Sequence, residues 1–196
     1  MKAFNIYLTG VGGQGIGLIS EIILRAADHG GHFVKSVDTH GLAQRGGIVV
    51  SQIRLGENIF SPLIPAGQAD LVIALERHEA LRAAGTMLKD DGCLIYYNTV
   101  WQPLPVRLNE AAEVTETDIR SLCRPRGIQV WSVFQADLPD IRMQNVALLA
   151  RVHGHRLIPG IDLSHYRAAM ADLMSGSRLQ MNLAVFAQGA RPIPGS

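Results

Sequence analysis

The sequence predicts an α/β fold of the Rossmann-like type, in which helices cover both faces of a mostly parallel sheet and a helical C-terminal part follows. Two observations lead to this prediction. Short apolar segments of strand length alternate with helix-like segments through the first half of the chain, and several of the predicted strands are apolar throughout. A glycine-rich loop also joins the first predicted strand to the first predicted helix.

The individual elements follow from apolar runs and from the residues that interrupt them. Strands are predicted over residues 4–9, 33–37, 48–55, 71–75, 93–97 and 128–134. Helices are predicted over residues 16–27, 76–88, 117–122, 141–152, 164–173 and 179–187, with Ser164 as the N-cap of the fifth. Residues 101–105 hold two prolines and are expected to leave the sheet or to follow its edge. We expect one domain over residues 1–190 and a disordered tail over residues 191–196.

The composition argues against several classes of function. The 196 residues have a formal net charge of +1 with both signs mixed, so no basic field favours nucleic acid or an anionic membrane surface. No apolar run approaches the roughly 20 residues that span a bilayer, and the N-terminus lacks a signal-peptide pattern, which indicates a soluble cytoplasmic protein. Cys93 and Cys123 are too few for a disulfide framework or an iron–sulfur cluster, and we expect free, buried or half-buried thiols.

A glycine loop follows the first predicted strand and provides the first candidate site. Gly10, Gly12 and Gly15 fit the G-x-G-x-x-G pattern, with Gly13 and Gln14 between them. Glycines permit a tight turn and a close approach of the backbone to a ligand, while the start of the following helix offers unpaired N–H groups and a positive dipole end. A phosphate, a pyrophosphate or a carboxylate is therefore the expected ligand.

Two other interpretations of this loop stay open at the sequence level. Asp38, near the end of the second predicted strand, lies about where an acidic ribose-binding residue falls in dinucleotide enzymes, which favours a nicotinamide or flavin dinucleotide. Alternatively, the glycines only allow the helix to pack closely on the strand.

The loop after the second predicted strand provides the second candidate site. Parallel strands end at a common edge, so this loop is expected to lie beside the glycine loop. Arg45 can pair bidentately with an anion, Gln44 offers both donors and acceptors, and His40 can donate a hydrogen bond or exchange a proton. Gly46 and Gly47 would let the backbone come close to a ligand. The alternative is a solvated turn in which Arg45 forms a surface ion pair.

Other polar residues are interpreted structurally, and we assign this chain no catalytic residue and no metal site. His153 and His155 are two positions apart and do not share a helix face, so they indicate the end of a helix. Glu76 and Glu79 fall at a predicted helix start, where acids are favoured. Trp101 lies close to two prolines and is expected either to anchor a partner chain or to pack in the core.

Taken together, the motifs resemble the gamma-domain family of 2-oxoacid:acceptor oxidoreductases, and within it the beta subunits of indolepyruvate:ferredoxin oxidoreductases. The likeness spans roughly residues 4–189, except that residues 101–136 carry no motif of the family. The segments that carry it are residues 10–15, 40–56, 61–65, 69–72, 97–99, 145–149 and 182–186.

The resemblance implies an accessory subunit that is inactive alone. The complete enzyme would decarboxylate an arylpyruvate oxidatively, form an acyl-coenzyme A and pass electrons to ferredoxin. Thiamine diphosphate, Mg and [4Fe-4S] clusters would belong to a large catalytic partner, and coenzyme A would be the co-substrate. In this chain the backbone of residues 10–15 would receive a phosphate or carboxylate, and Gln44 with Arg45 would face ligand or partner. A homodimer is expected when the chain is isolated, because a partner surface leaves an apolar patch exposed.

Two rival functions remain at this point. The first is a free-standing oxidoreductase that binds a dinucleotide at the glycine loop. The second is a binding or assembly module without enzymatic function, which only presents a protein surface.

Overall fold

The structure is a computed structural model, and it describes residues 3–39, 47–101 and 112–190. Its strands are β1 Phe4–Val11, β2 Val34–Thr39, β3 Ile48–Leu55, β4 Ala69–Ala74, β5 Leu88–Tyr97 and β6 Gln129–Val133. The α-helices of the described part are α1 Ile16–His29, α2 Arg77–Thr86, α3 Glu116–Cys123, α4 Gln144–Gly154, α5 Leu163–Leu173 and α6 Gly176–Gly189. Short 3-10 helices, Arg124–Arg126 and Ile141–Met143, precede β6 and α4.

The strands form one mixed sheet in the order β2-β3-β1-β4-β5-β6. Strand β3 is antiparallel to both of its neighbours, while the pairs β1–β4, β4–β5 and β5–β6 are parallel. The other five strands therefore share one direction, which confirms the mostly parallel α/β fold. The reversal of β3 has a simple cause, because residues 40–47 are fewer than the about a dozen residues that a parallel crossover needs.

Helices cover both faces of the sheet, as the fully apolar strands predict. In β1, Ile6 and Leu8 pack into one core and Tyr7 into the other. The first core also contains residues of α1, α4, α5 and α6, and the second contains residues of α2 and α3. Because helices cover both faces, we expect a ligand to reach the sheet at the ends of its strands, where they pass into loops.

Several boundaries differ from the sequence prediction for local reasons. Ser164 is not an N-cap, because α5 already begins at Leu163 and Asp162 occupies the cap position. The predicted helix over residues 141–152 is divided into a 3-10 turn and α4. The strand predicted over residues 93–97 extends back to Leu88 as β5, with an irregularity where Asp91 has a φ of 58° and the register to β4 shifts. Residues 102–105 and 191–196 lie outside the described residues.

Two further expectations can be compared with the structure. Cys93 is half-buried and Cys123 is buried, and both are free thiols as predicted. Within residues 3–39, 47–101 and 112–190, no helix combines the length and the apolar character needed to cross a membrane.

Helix α3 tests how a capping residue defines its start. The Asp118 N–H donates to Thr115 Oγ1 at 3.2 Å, and the Thr115 N–H donates to Asp118 Oδ2 at 2.8 Å. We expect Thr115→Ala to lower the free energy of unfolding by about 1 kcal/mol, the usual effect of a lost N-cap. Thr117→Ala, at an exposed position two residues further along, is the matched control. It should change the free energy of unfolding little. Urea denaturation of both variants measures the difference.

The same cap predicts a pH dependence. Hydrogen bonds from the Thr115 hydroxyl and backbone lower the pKa of Asp118 below its ordinary value. A carboxyl with a lowered pKa stabilises the fold above its unfolded pKa and loses this contribution as the pH falls through its folded pKa. The difference in free energy of unfolding between Thr115→Ala and the parent protein should therefore become smaller in acid. A larger difference in acid would contradict the role of Asp118 in this cap.

Candidate functional site

The two predicted loops meet at the carboxyl edge of the sheet. Strand β1 ends at Val11, the chain turns through residues 12–15, and α1 starts at Ile16. The Gly12 N–H donates to Gly47 O at 2.9 Å, so the end of the second loop lies against the glycine loop, as expected from the sequence. The other predicted residues of the second loop lie outside the described residues; they are His40, Gln44, Arg45 and Gly46.

The side chain of Gln14 fixes the glycine loop by two hydrogen bonds to the backbone. Its Oε1 accepts the Val11 N–H at 2.7 Å, its Nε2 donates to Leu75 O at 2.9 Å, and the residue is only 1% exposed. Gly10 is a packing residue of β1, since a Cβ there would lie 2.9 Å from both Gln14 Oε1 and Ile16 Cδ1. Gly10 and the Gln14 side chain therefore shape the loop from within, so the predicted ligand contacts of this loop would be made by its backbone.

Gly13 lies on the exposed surface of the loop, and Gly15 is half-buried and packs against Asn145. Both have left-handed backbones, with φ of 100° and 83°, and a Cβ at Gly13 would meet no atom within 4 Å. At Gly15 the missing side chain makes room for Asn145, whose Nδ2 donates to Gly15 O at 3.4 Å. Asn145 thus joins the start of α4 to the start of α1.

The beginnings of three helices surround a cavity at this point. No side chain caps the N-terminus of α1 or α6, and at the start of α4 the Asn145 Oδ1 accepts the Val146 N–H at 2.7 Å. None of the three helices has an acidic residue in its first turn. The cavity has a volume of about 540 Å³, and residues from the glycine loop, from the 3-10 turn with α4 and from α6 line it. Unpaired N–H groups and positive dipole ends are the features that attract anions to helix starts.

The charged side chains in the cavity wall are mostly positive. Arg142 pairs with Asp140, with Nη2 to Oδ2 at 2.6 Å, and these hydrogen bonds hold the pKa of Asp140 below its ordinary value. Arg178 also lines the cavity and forms no ion pair with any described residue. One uncompensated arginine and the helix starts therefore make the cavity suitable for an anion.

Sequence reasoning missed the C-terminal half of this site, which comprises Asp140, Arg142, Asn145, Arg178 and Asn182. Neither arginine belongs to a recognised motif. A usable signal existed, because a cation near a helix start is the reverse of the usual preference.

Asp38 does not occupy a ribose-binding position. Strand β3 lies between β1 and β2, so Asp38 is two strands away from the glycine loop. Its carboxylate accepts the Ser51 hydroxyl and lies 3.4 Å from Ser20 Oγ, within a polar network between α1 and the sheet. This geometry argues against the dinucleotide interpretation.

The acidic residues at the start of α2 are structural. Glu76 is buried and accepts N–H groups of His78 and Glu79, which makes it the N-cap of α2. Burial raises the pKa of Glu76. Glu79 accepts the Thr9 hydroxyl at 2.6 Å and pairs with Arg82. Together they tie α2 to the end of β1.

The two histidines at the end of α4 pack against aromatic rings. His153 contacts Tyr166 and Phe186, with ring centroids 5.4 and 6.1 Å away, and His155 lies 5.1 Å from the Trp131 ring. Burial lowers the pKa of both histidines. In the described part of the chain, no group of His, Cys, Asp or Glu residues is placed to hold a metal ion.

Comparison with known proteins identifies the family. The profile of the family described as pyruvate ferredoxin/flavodoxin oxidoreductase matches residues 5–191. The chain belongs to this family. It is 35% identical to the indolepyruvate oxidoreductase subunit IorB of Archaeoglobus fulgidus over 94% of this chain and 92% of that subunit. The IorB subunit of Methanothermobacter thermautotrophicus is 46% identical over a shorter stretch, 47% of this chain and 46% of that one.

Solved structures share the fold. The gamma subunit of a keto/oxoacid ferredoxin oxidoreductase from Geobacter sulfurreducens superposes with a TM-score of 0.68 at 19% identity, over 95% of this chain and 96% of that one. A 2-oxoglutarate:ferredoxin oxidoreductase from Magnetococcus marinus, solved with 2-oxoglutarate, coenzyme A and succinyl-CoA bound, gives a TM-score of 0.73 at 18% identity. The match covers 96% of this chain but 30% of that longer one. The family resemblance inferred from the motifs is confirmed.

The loop geometry predicts opposite effects at two glycines. Gly15→Ala should lower the free energy of unfolding by about 1–3 kcal/mol, because its backbone is left-handed and a Cβ would collide with the Asn145 amide. Gly17→Ala, on the exposed side of α1 with no atom within 4 Å, should raise it by about 0.5–1 kcal/mol. Thermal or urea unfolding of the two variants gives the comparison, and equal effects would contradict this description of the loop.

Proposed function

We propose that this chain is the accessory subunit of a 2-oxoacid:ferredoxin oxidoreductase of the indolepyruvate type. The observation that carries the proposal is the likeness to an IorB subunit along nearly the whole of both chains, at 35% identity. The complete enzyme would convert an arylpyruvate and coenzyme A to an aryl-acyl-coenzyme A and carbon dioxide. The two electrons released would reduce ferredoxin, and one proton would be released.

The redox chemistry is assigned to a large partner subunit. A cluster held by cysteine thiolates needs more thiols than the two in this chain. Burial also raises the pKa of both Cys93 and Cys123, which disfavours the thiolate form that binds metal. Thiamine diphosphate, Mg and [4Fe-4S] clusters are accordingly proposed for the partner, and this chain takes no redox step of its own.

The contribution of this chain is proposed to be an anion site at the carboxyl edge. The backbone around Gly13 and Gly15 would receive a phosphate or carboxylate, and Gly12 and Gly47 hold the two loops together. Gln44 and Arg45 of the second loop are proposed to face the same ligand. Coenzyme A, which carries several phosphates, is the ligand we propose for this edge.

Exposed apolar side chains near the carboxyl ends of the strands support a protein partner there. Phe134 and Ile141 are 66% and 73% exposed, and they border a small cavity at the ends of β5 and β6. Trp101, four residues beyond the end of β5, is also exposed. We propose that the large subunit covers this area, and that the isolated chain forms a homodimer.

Reconstitution tests the proposed function. The chain, co-expressed with a thiamine-binding, cysteine-rich large subunit of the same family, should co-purify with it. Ferredoxin reduction should then require both indolepyruvate and coenzyme A, and either subunit alone should give none. Stoichiometric binding of NAD, NADP or FAD by the isolated chain would instead favour a free-standing dinucleotide enzyme.

Substitution of Arg45 tests the second loop. If its guanidinium contacts the anion, Arg45→Ala in the reconstituted complex should raise KM for coenzyme A by about tenfold or more, as expected for a lost charge-assisted hydrogen bond. Arg167→Ala, at an exposed position on α5, is the control and should leave KM unchanged. Normal assembly with an unchanged KM in Arg45→Ala would show that this loop is not the ligand site.

A further inference from the structure

Strand β6 forms one edge of the sheet, and its outer side faces no other strand of the described part of the chain. The Asn98 N–H donates to Val133 O at 2.7 Å, so the backbone of Val133 faces β5. Successive residues of a strand direct their N–H and C=O groups to opposite sides, so Val130 and Ser132 direct theirs away from β5. These two residues therefore offer two donors and two acceptors to a further strand.

The two edges of the sheet differ in charge. Strand β2, at the opposite edge, contains Lys35 and Asp38. Residues 128–135, which include all of β6, contain no charged residue and no proline. Charged side chains and prolines are common means by which an exposed edge strand avoids pairing with another chain. Because β6 lacks both, its edge is suited to pairing in the assembled protein.

The end of β6 leads directly into exposed apolar surface. Phe134 follows the strand, and together with Ile141 it borders a cavity of about 180 Å³ whose wall also includes Leu138. When a partner adds a strand to a sheet, main-chain hydrogen bonds give affinity, and pockets beside the strand give specificity by accepting side chains. The edge of β6 and the cavity at its end provide both parts of such a surface.

We propose that an extended segment of the large subunit adds to β6 as a seventh strand and places an apolar side chain in the cavity beside Phe134. This inference rests on the proposed function, which supplies the large subunit as the partner. The chemistry expected of the segment is that of a strand, with β-branched or aromatic residues and no proline at the paired positions.

A second copy of this chain matches the surface less well. Two β6 strands related by a two-fold axis pair antiparallel, and the register centred on Trp131 pairs the whole strand. Phe134 would then lie opposite Ile128 of the second copy, just beyond which is the arginine-containing turn Arg124–Arg126. Charged residues would face the apolar cavity. A separate segment that continues past Val133 has no such conflict.

Hydrogen–deuterium exchange in the reconstituted complex tests the pairing. Exchange of the Val130 and Ser132 amides should slow by about tenfold or more when the large subunit binds, because both become donors in a strand ladder. The Ser36 amide is the control. Its neighbours in β2 pair with β3, as the bond from Gly56 N–H to Phe33 O shows, so it faces outward at the other edge and should exchange unchanged. Unchanged exchange at β6, or slow exchange already present in an isolated dimer, would overturn the proposal.

Proline variants test the same hydrogen bonds by affinity. Ser132→Pro removes one outward N–H and leaves the bonds to β5 in place, so it should weaken binding of the large subunit by about tenfold. Ser132→Ala keeps the N–H and should bind normally. Ser36→Pro makes the matched change at the β2 edge and should also bind normally. Surface plasmon resonance measures the affinities, and equal effects of the two proline variants, or of both Ser132 variants, would overturn the pairing.

A side-chain variant tests the surface without altering the backbone of β6. Phe134→Ser should weaken binding of the large subunit by about tenfold or more, as expected for a central apolar contact. Phe60→Ser is the matched control, because Phe60 is 90% exposed and lies in the loop before β4, at the other end of the sheet. Equal affinities of these two variants would contradict the placement of the partner.

The outcomes separate this inference from the proposed function. A complex that assembles and reduces ferredoxin, while Val130 and Ser132 exchange at unchanged rates, would overturn the strand addition and leave the function intact. Slowed exchange of both amides, in a complex that assembles but reduces no ferredoxin with indolepyruvate and coenzyme A, would support the strand addition and overturn the function.

Discussion

The carboxamide of Gln14 fixes the turn on which the carboxyl edge of the sheet depends. It accepts the N–H at the end of β1 and donates to Leu75 O just beyond β4, so it closes the gap between two parallel strands. A glutamate would lack the donor for Leu75, and leucine would lack both groups. Because this side chain is used within the fold, the loop keeps its shape while the amides at the start of α1 stay available.

Local signals in the sequence were enough for most of the fold. The predicted bounds of β3 agree with the structure, and so does the start of α1 after the glycine loop. The direction of β3 could also have been predicted, since residues 40–47 are too few for a crossover. What the sequence could not indicate was the direction of the Gln14 side chain, because a polar residue in a glycine loop can face either a ligand or the backbone of its own chain.

Some residues of the candidate site belong to a local sequence motif, and others come together only through tertiary packing. Gly13 and Gly15 belong to a contiguous motif, and the motif points to an anion. Arg142 and Arg178 lie far along the chain, and only the packing of α4 and α6 near the start of α1 brings them to the same cavity. Assigning these arginines to the site requires the tertiary structure, although their positions near helix starts, which disfavour a cation, are visible in the sequence. The ribose-binding interpretation of Asp38 failed because strand order cannot be deduced from chain order.

The reversed strand β3 has a consequence for the loop that precedes it. Thr39 pairs with Val50, and the ladder continues to Val34 and Leu55, so the connection between β2 and β3 is anchored on both sides by the sheet. In a parallel crossover, an inserted residue would displace a helix and its packing. Here the pairing of β2 with β3 fixes both ends of the connection, so we expect a substitution within it to alter ligand contacts more than the stability of the sheet.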